Sequence, residues 1–361
     1  MERIDRIRTL MVDSDLDSFL ISSPDNRRYF SGFAGSAGYL VITLDAAVLI
    51  TDFRYIEQAG VQSPDFRVVQ ARGGVDWLPS LVEELGTVRM GFENFHMSVS
   101  VHQAMVDSLN RISSTTRMSL VATSGMLDSM RAVKDPVELG LISQAVELAD
   151  QAFETVAPTI EVGQTEKAIA WNLEKVMREY GAEAVSFETI VASGPNSALP
   201  HHRPSDRQIR EGEPIVMDFG ARYQGYCSDM TRTVCVGEAD HKLREIYDTV
   251  LAAQLTASAT IRSGMTSGEA DQLARTVIEE AGYGEHFGHA LGHGIGLAVH
   301  EFPRVGPNAT DLLSEGTVFT IEPGIYLPGW GGVRIEDTVV IDGGVVRPLT
   351  RSHKDERVVS H

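Results

Sequence analysis

Two apolar runs in the second half of this 361-residue chain each carry an acid where a buried strand would carry a hydrophobe. Ile215-Val216-Met217-Asp218-Phe219-Gly220 reads as a buried strand yet holds Asp218, and its mate, Tyr226-Cys227-Ser228-Asp229, ends on Asp229. A turn centred between Tyr223 and Gln224 predicts that the two carboxylates face each other across a hairpin, with Cβ atoms about 4.5–5.5 Å apart. Buried like charges repel, so a cation between them is the natural resolution. The plain alternative is a solvated Asp229 and an Asp218 that caps nearby backbone. Downstream, Glu322 in Val318–Gly324 and Glu336 in Gly332–Asp337 repeat the device, and a hairpin centred on Gly329 sets them opposite each other.

Between the two acid pairs runs Glu285–Glu301, E-H-F-G-H-A-L-G-H-G-I-G-L-A-V-H-E, with His286, His289, His293 and His300 among four glycines. The chain has only eleven histidines, so this concentration marks an engaged site. Imidazole is a common metal ligand and proton carrier, and glycine lets backbone pass close to a ligand. Four carboxylates and one imidazole can bridge two divalent ions about 3.5–4 Å apart, an arrangement that activates water for attack on a carbonyl.

The rest of the chain bounds the setting. Its length favours two domains, with a boundary near Asp128 that gives 1–128 and 129–361. Residues 1 to about 125 alternate helix and strand and form an α/β domain with its own core. They include a hairpin across Leu44-Asp45 and an isolated His96 and His102, which read as surface or hydrogen-bonded residues. Arg27–Ser36, with two arginines and three aromatics, reads either as a buried turn or as a loop facing substrate or a partner. Asp135-Pro136 opens a long helix. Further helices are expected near Glu166–Tyr180, Leu243–Ile261 and Ser267–Ala281, around an irregular run from Ala192 to Ser205.

A net charge of −19 argues against a nucleic-acid partner, because phosphate binding rests on Lys and Arg. No run approaches the ~20 apolar residues of a membrane span, and the start, Met1-Glu2-Arg3-Ile4-Asp5-Arg6, lacks a signal-peptide pattern, so a cytoplasmic protein is expected. Cys227 and Cys235 stand about 26 Å apart along an extended strand, too far for a disulfide. A mononuclear zinc site on His289 and His293 lacks the Glu of the H-E-x-x-H motif, and the glycines oppose a helix there. The glycine spacing also fails the dinucleotide fingerprint.

Asp218, Asp229, His293, Glu322 and Glu336, in the contexts M-D-F-G, S-D-M-T-R-T, G-H-G-I-G, E-P-G and R-I-E-D, resemble the dinuclear metallopeptidases of the pita-bread fold over about residues 130–350. S-G-P-N-S-A-L-P-H-H at Ser193–His202 and H-A-L-G-H-G-I-G-L-A-V-H-E point to aminopeptidase P and prolidase, the Xaa-Pro peptidases. The resemblance implies a creatinase-like α/β amino-terminal domain followed by an α+β pita-bread catalytic domain. It also implies that Asp218 and Asp229 ligate one metal and His293 and Glu322 the other, with Asp229 and Glu336 bridging. His201, His289 and His300 match histidines that hold the substrate carbonyl or the tetrahedral intermediate. Arg334 matches an arginine that orients a neighbouring acid, Glu322 counts as both ligand and catalytic group, and Tyr326 is a weaker match. His202, His286 and His353 have no assigned role. The oxygen-rich set favours Mn²⁺, with Co²⁺ or Zn²⁺ as alternatives. A peptide substrate and a homodimer with the amino-terminal domain at its interface are also implied. Methionine aminopeptidase, lacking the extra amino-terminal domain, and a silent or metal-free relative such as creatinase, expected to have lost ligands, are the rival readings.

Overall fold

The computed structural model describes residues 2–111 and 118–355; Met1, residues 112–117 and residues 356–361 lie outside that description. The chain divides into two compact units, Met1–Leu127 and Asp128–His361.

In the first unit, six strands lie in the order Arg67–Gln70, Ala47–Thr51, Tyr39–Thr43, Ser18–Ile21, Arg89–Glu93, Ser119–Thr123. All are parallel except Tyr39–Thr43, which runs against both neighbours. That reversal is the hairpin expected across Leu44-Asp45, and Asp45 fastens the turn by accepting a hydrogen bond from Thr43 Oγ1 at 2.8 Å. Leu20, Val41, Val48, Ile50, Met90 and Phe92 make the sheet's buried face, against which Leu78, Leu81 and Met105 pack from helices. The Arg27–Ser36 stretch is the end of a helix followed by the expected turn. Pro24–Ser31 is a helix with proline in its first turn, and it stops at Gly32 (φ 75°). Arg27 is buried and donates to the Gly35 and Gly38 carbonyls, so the guanidinium organises the following turn.

The second unit is built twice over. Helices Pro136–Val156 and Glu166–Glu179 cover one hairpin, burying Ala149, Phe153 and Leu173 against Met217, Phe219 and Met230. Helices His241–Thr260 and Ser267–Glu280 cover the other, burying Tyr247, Val250 and Ala274 with Phe319, Ile325 and Val333. Each helix starts where side-chain chemistry predicts. Asp135 and Thr266 form capping boxes with Glu138 and Glu269, satisfying backbone N–H groups that a helix start leaves without partners. A five-stranded sheet runs in the order Glu301–Val305, Gly292–Gly294, Val318–Ile321, Asp337–Asp342, Val345–Pro348, its third and fourth strands being the outer part of the second hairpin. No described helix is long and apolar enough to cross a membrane. Cys227 and Cys235 are both buried thiols, not joined in a disulfide.

Candidate metal centre

The first hairpin has a register different from the one expected. Thr231, not Asp229, pairs with Asp218. The turn is Gln224-Gly225, both at positive φ (44° and 82°), and Tyr223 pairs with Tyr226. A two-residue turn with glycine second matches the strand twist, which sets the centre one residue later than expected. Asp229 therefore lies two residues along from Asp218's partner, a diagonal neighbour on the same face. In the second hairpin the expectation holds. Ile321 pairs with Asp337 and Gly324 with Arg334, so Glu322 and Glu336, between those pairs, face each other.

His293 comes to these acids on the short Gly292–Gly294 strand. A Cβ on Gly292 would lie 2.0 Å from the Thr320 carbonyl oxygen, and one on Gly294 would lie 2.1 Å from that of Phe302. Only glycine fits on either side of the histidine, which explains G-H-G. The imidazole Nδ1 lies 3.0 Å from the Gly294 carbonyl oxygen. A carbonyl only accepts, so Nδ1 carries the hydrogen and Nε2 presents its lone pair. That lone pair faces carboxylates, Glu322 Oε1 at 3.4 Å and Asp229 Oδ2 at 3.6 Å. Ligand atoms of Asp229, His293 and Glu336 all lie within 4.8 Å of one another.

The donor count around these acids does not close. Thr231 Oγ1 donates to Glu336 Oε2 at 2.7 Å, Thr320 Oγ1 to Glu322 Oε1 at 3.1 Å, and Arg334 Nη2 to Asp218 Oδ2 at 2.6 Å. Asp218 Oδ1, Asp229 Oδ1 and Glu336 Oε1 are buried without a hydrogen-bond partner. Burial, then mutual repulsion, pushes the carboxyls of Asp229 and Glu336 well above the ordinary range, and burial pushes Glu322 up to about 7. Converging acceptors with unspent lone pairs, and no proton donor between them, fit divalent cations.

The acids floor a cavity of ≈ 820 Å³ whose wall includes His201, His289 and His300. The three histidines do not stand alike. His201 and His300 are exposed, the His300 ring lying 4.2 Å from that of His293, and partial desolvation at the cavity wall, then the nearby His293, lowers the His300 pKa to about 4. Both ring nitrogens of His289 are occupied: Nδ1 lies 2.7 Å from the Ala290 carbonyl oxygen and Nε2 2.9 Å from the Tyr326 hydroxyl. Nδ1 must therefore donate, and Tyr326 donates to Nε2 while accepting from Arg334 Nη1 at 3.0 Å. Burial, then Arg334, lowers His289 to about 4, and burial pushes Tyr326 up to about 12. The result is a fixed relay, Asp218–Arg334–Tyr326–His289, in which every proton has one place to be. His286 and His353 lie outside the cavity lining, and His202, which lines it, hydrogen bonds to Glu166.

Sequence reasoning passed over several residues of the site. Glu301 follows His300 and is buried between Arg131 and Lys134, with Lys134 Nζ at 2.8 Å, so an ion triad fixes the base of the His300 arm. Thr231 and Thr320 steady two of the acids. A hydroxyl two residues from an acid on a strand shares its face, a signal available for both threonines.

The sequence model of metallopeptidase family M24 matches residues 140–343, and that of the creatinase/prolidase N-terminal domain matches residues 3–133. A Xaa-Pro dipeptidase of Pyrococcus furiosus is 37% identical over 98% of this chain and 99% of its own length. Among solved structures, a Xaa-Pro dipeptidase from Bacillus anthracis superposes with a TM-score of 0.94 at 41% identity, covering 98% of both chains. An X-Pro aminopeptidase from Thermotoga maritima does so with a TM-score of 0.89 at 40% identity, covering 98% of this chain and 99% of its own. The α/β amino-terminal domain ahead of a pita-bread catalytic domain is thus the fold of the whole molecule, and the chain belongs to metallopeptidase family M24.

Proposed function

We propose that this chain is a two-metal peptidase that removes the amino-terminal residue from peptides with proline in the second position. The observation that carries the reading is the convergence of unpartnered, buried carboxylate oxygens and one imidazole lone pair at the floor of an open cavity. Relatives named Xaa-Pro dipeptidase and X-Pro aminopeptidase supply the substrate class.

Asp218 and Asp229 would hold one divalent ion, His293 and Glu322 the other, with Asp229 and Glu336 shared. Five side chains offering oxygens and a single imidazole suit Mn²⁺ best, and Co²⁺ or Zn²⁺ next. Once bound, the ions would polarise the scissile carbonyl and acidify an attacking water. The remaining work falls to the protein. Glu322, half-buried on the cavity floor, is the carboxylate placed to accept a proton from the attacking water. His201 and His300 face the cavity and can give N–H hydrogens to the developing oxyanion, His300 as the neutral imidazole. His289, held by Tyr326, keeps Arg334 and Asp218 aligned. Phe187, Ile190 and Val299 give the cavity an apolar side suited to a proline ring.

A second reading, a dipeptidase restricted to Xaa-Pro, is favoured by Arg304 on the cavity wall. A dipeptide places a free carboxylate beside its proline, where a cation would hold it. We read the assembly as a homodimer with the amino-terminal domain at its interface and the compartment as cytoplasmic, consistent with two buried cysteines not joined in a disulfide. Cleavage of Xaa-Pro dipeptides and Xaa-Pro-Yaa tripeptides, with Mn²⁺ supplied, tests the function. Hydrolysis of both supports the aminopeptidase, hydrolysis of dipeptides alone supports the second reading, and hydrolysis of neither defeats both.

A further inference from the structure

His201 sits on the long loop between the Ile190–Ser193 and Ile215–Phe219 strands. No side-chain hydrogen bond holds its ring among the described residues, so its place over the cavity depends on its backbone. That backbone is tethered on either side. The Pro200 carbonyl lies 3.5 Å from Arg334 Nη1, and His202 Nε2 lies 2.9 Å from Glu166 Oε2.

Glu166 opens the Glu166–Glu179 helix and is completely buried. Its Oε1 accepts from Ser193 N–H and Ser193 Oγ, both at 2.8 Å, and from Asn196 Nδ2 at 3.0 Å. Its Oε2 accepts from His202, from Ser205 N–H at 3.0 Å and from Ser205 Oγ at 2.6 Å. Burial alone would raise this carboxyl, but the donors override it and hold it at about 2. An ionised carboxylate only accepts, so His202 donates through Nε2 and its tautomer is fixed. Ser193 and Asn196 precede His201 in the chain, and His202 and Ser205 follow it. One carboxylate thus closes both arms of the loop, and the contact nearest to His201 comes from the adjacent residue.

We infer that Glu166 is a positioning residue for the peptidase reaction: through His202 it fixes the backbone that aims His201 into the metal cavity, an inference that rests on the reading of His201 as substrate-facing. A clamp serving stability alone would not act through His201, and a double-mutant cycle separates the two.

The test uses the full-length enzyme loaded with Mn²⁺. His202→Ala is expected to speed hydrogen–deuterium exchange of the Ser205 amide, and to lower kcat about tenfold with little change in KM, the scale of losses at supporting residues. His202→Gln, which restores an N–H donor, recovers most of the loss. In the His201→Ala background, His202→Ala costs less than about twofold, because the residue being positioned is gone. Glu166→Gln sets amide hydrogens against donors and is expected to lower kcat further; should it fail to fold, the His202 variants still decide the matter. Equal losses from His202→Ala in both backgrounds, or unchanged exchange at Ser205, overturns the inference. Full turnover by His201→Ala alone overturns the reading of His201 instead, while the exchange result still reports whether Glu166 holds the loop.

Discussion

Glu166 and Glu336 are both buried glutamates, 0% and 1% exposed, and they behave as opposites. Glu166 meets hydrogen-bond donors at both oxygens and its carboxyl sits at about 2. Glu336 accepts from the Thr231 hydroxyl, has Oε1 unpartnered and shares its surroundings with Glu322, Asp218 and Asp229, and its carboxyl is driven well above the ordinary range. The desolvation is alike in kind; the supply of donors differs. A buried acid whose lone pairs are all taken by backbone amides and hydroxyls is complete in the folded chain. One whose lone pairs are aimed at other acids is completed by a cation. Counting donors, more than measuring burial, tells the acid that holds a loop from the acids that hold a metal.

The sharpest way to break this contrast is to remove one acid from each region. Glu336→Ala or Asp229→Asn is expected to lower turnover by about 1,000-fold, the upper range for one preorganised group, with metal content falling below two ions in elemental analysis. Glu166→Gln should keep both ions. Equal metal loss in the two regions would erase the distinction. Next in size come the histidines: His201→Ala is expected to cost about 100- to 1,000-fold in turnover, the scale for an oxyanion donor, and His289→Ala about 10- to 100-fold, the scale for a supporting residue, with metal content unchanged in both. Full activity in either would remove that histidine from the mechanism.

The two regions also predict opposite pH dependences. Glu322 is raised from 4.5 to about 7 in the metal-free fold, so its stabilising share is complete below about pH 4.5 and is lost as pH rises through 7. Glu166 is lowered from 4.5 to about 2, so its share is complete above about pH 4.5 and is lost as pH falls toward 2. Urea midpoints in EDTA should therefore be higher at pH 5 than at pH 7.5. Mn²⁺, by holding the acids ionised, should reverse that order; an unchanged order would mean that the acids are not relieved by the metal.

Much of the site was legible because an acid inside an apolar strand is costly and needs a reason. The second hairpin read correctly, with its centre at Gly329. The first was misread by one residue at the turn, which moved Asp218's partner from Asp229 to Thr231. The chemistry survived the error because a shift of two positions keeps every side chain on its face. Glu166 was not legible at all. An acid in a helix's first turn is usual, favoured by the helix dipole, and its partners lie far along the chain in a loop without periodicity. The relay through Tyr326 was equally hidden, because a tautomer depends on contacts that only the fold supplies.

The smallest effect concerns that misread turn. Gly225 has φ 82°, where a Cβ is strained, so Gly225→Ala should cost about 1 kcal/mol and lower the melting temperature by about 2–4 °C. Metal content and turnover should hold, because the register is pinned beyond the turn. Five residue pairs from Met230↔Phe219 to Val234↔Ile215 fix the ladder, and Cys227 N–H donates to the Gly296 carbonyl at 2.7 Å, tying the hairpin to the histidine stretch. Slipping by even two residues would break both ties and carry Asp229 away from His293. Loss of metal in Gly225→Ala would show that the turn, and not the ladder, keeps the acids in place, and the donor count at the metal centre would then depend on a residue that touches none of its ligands.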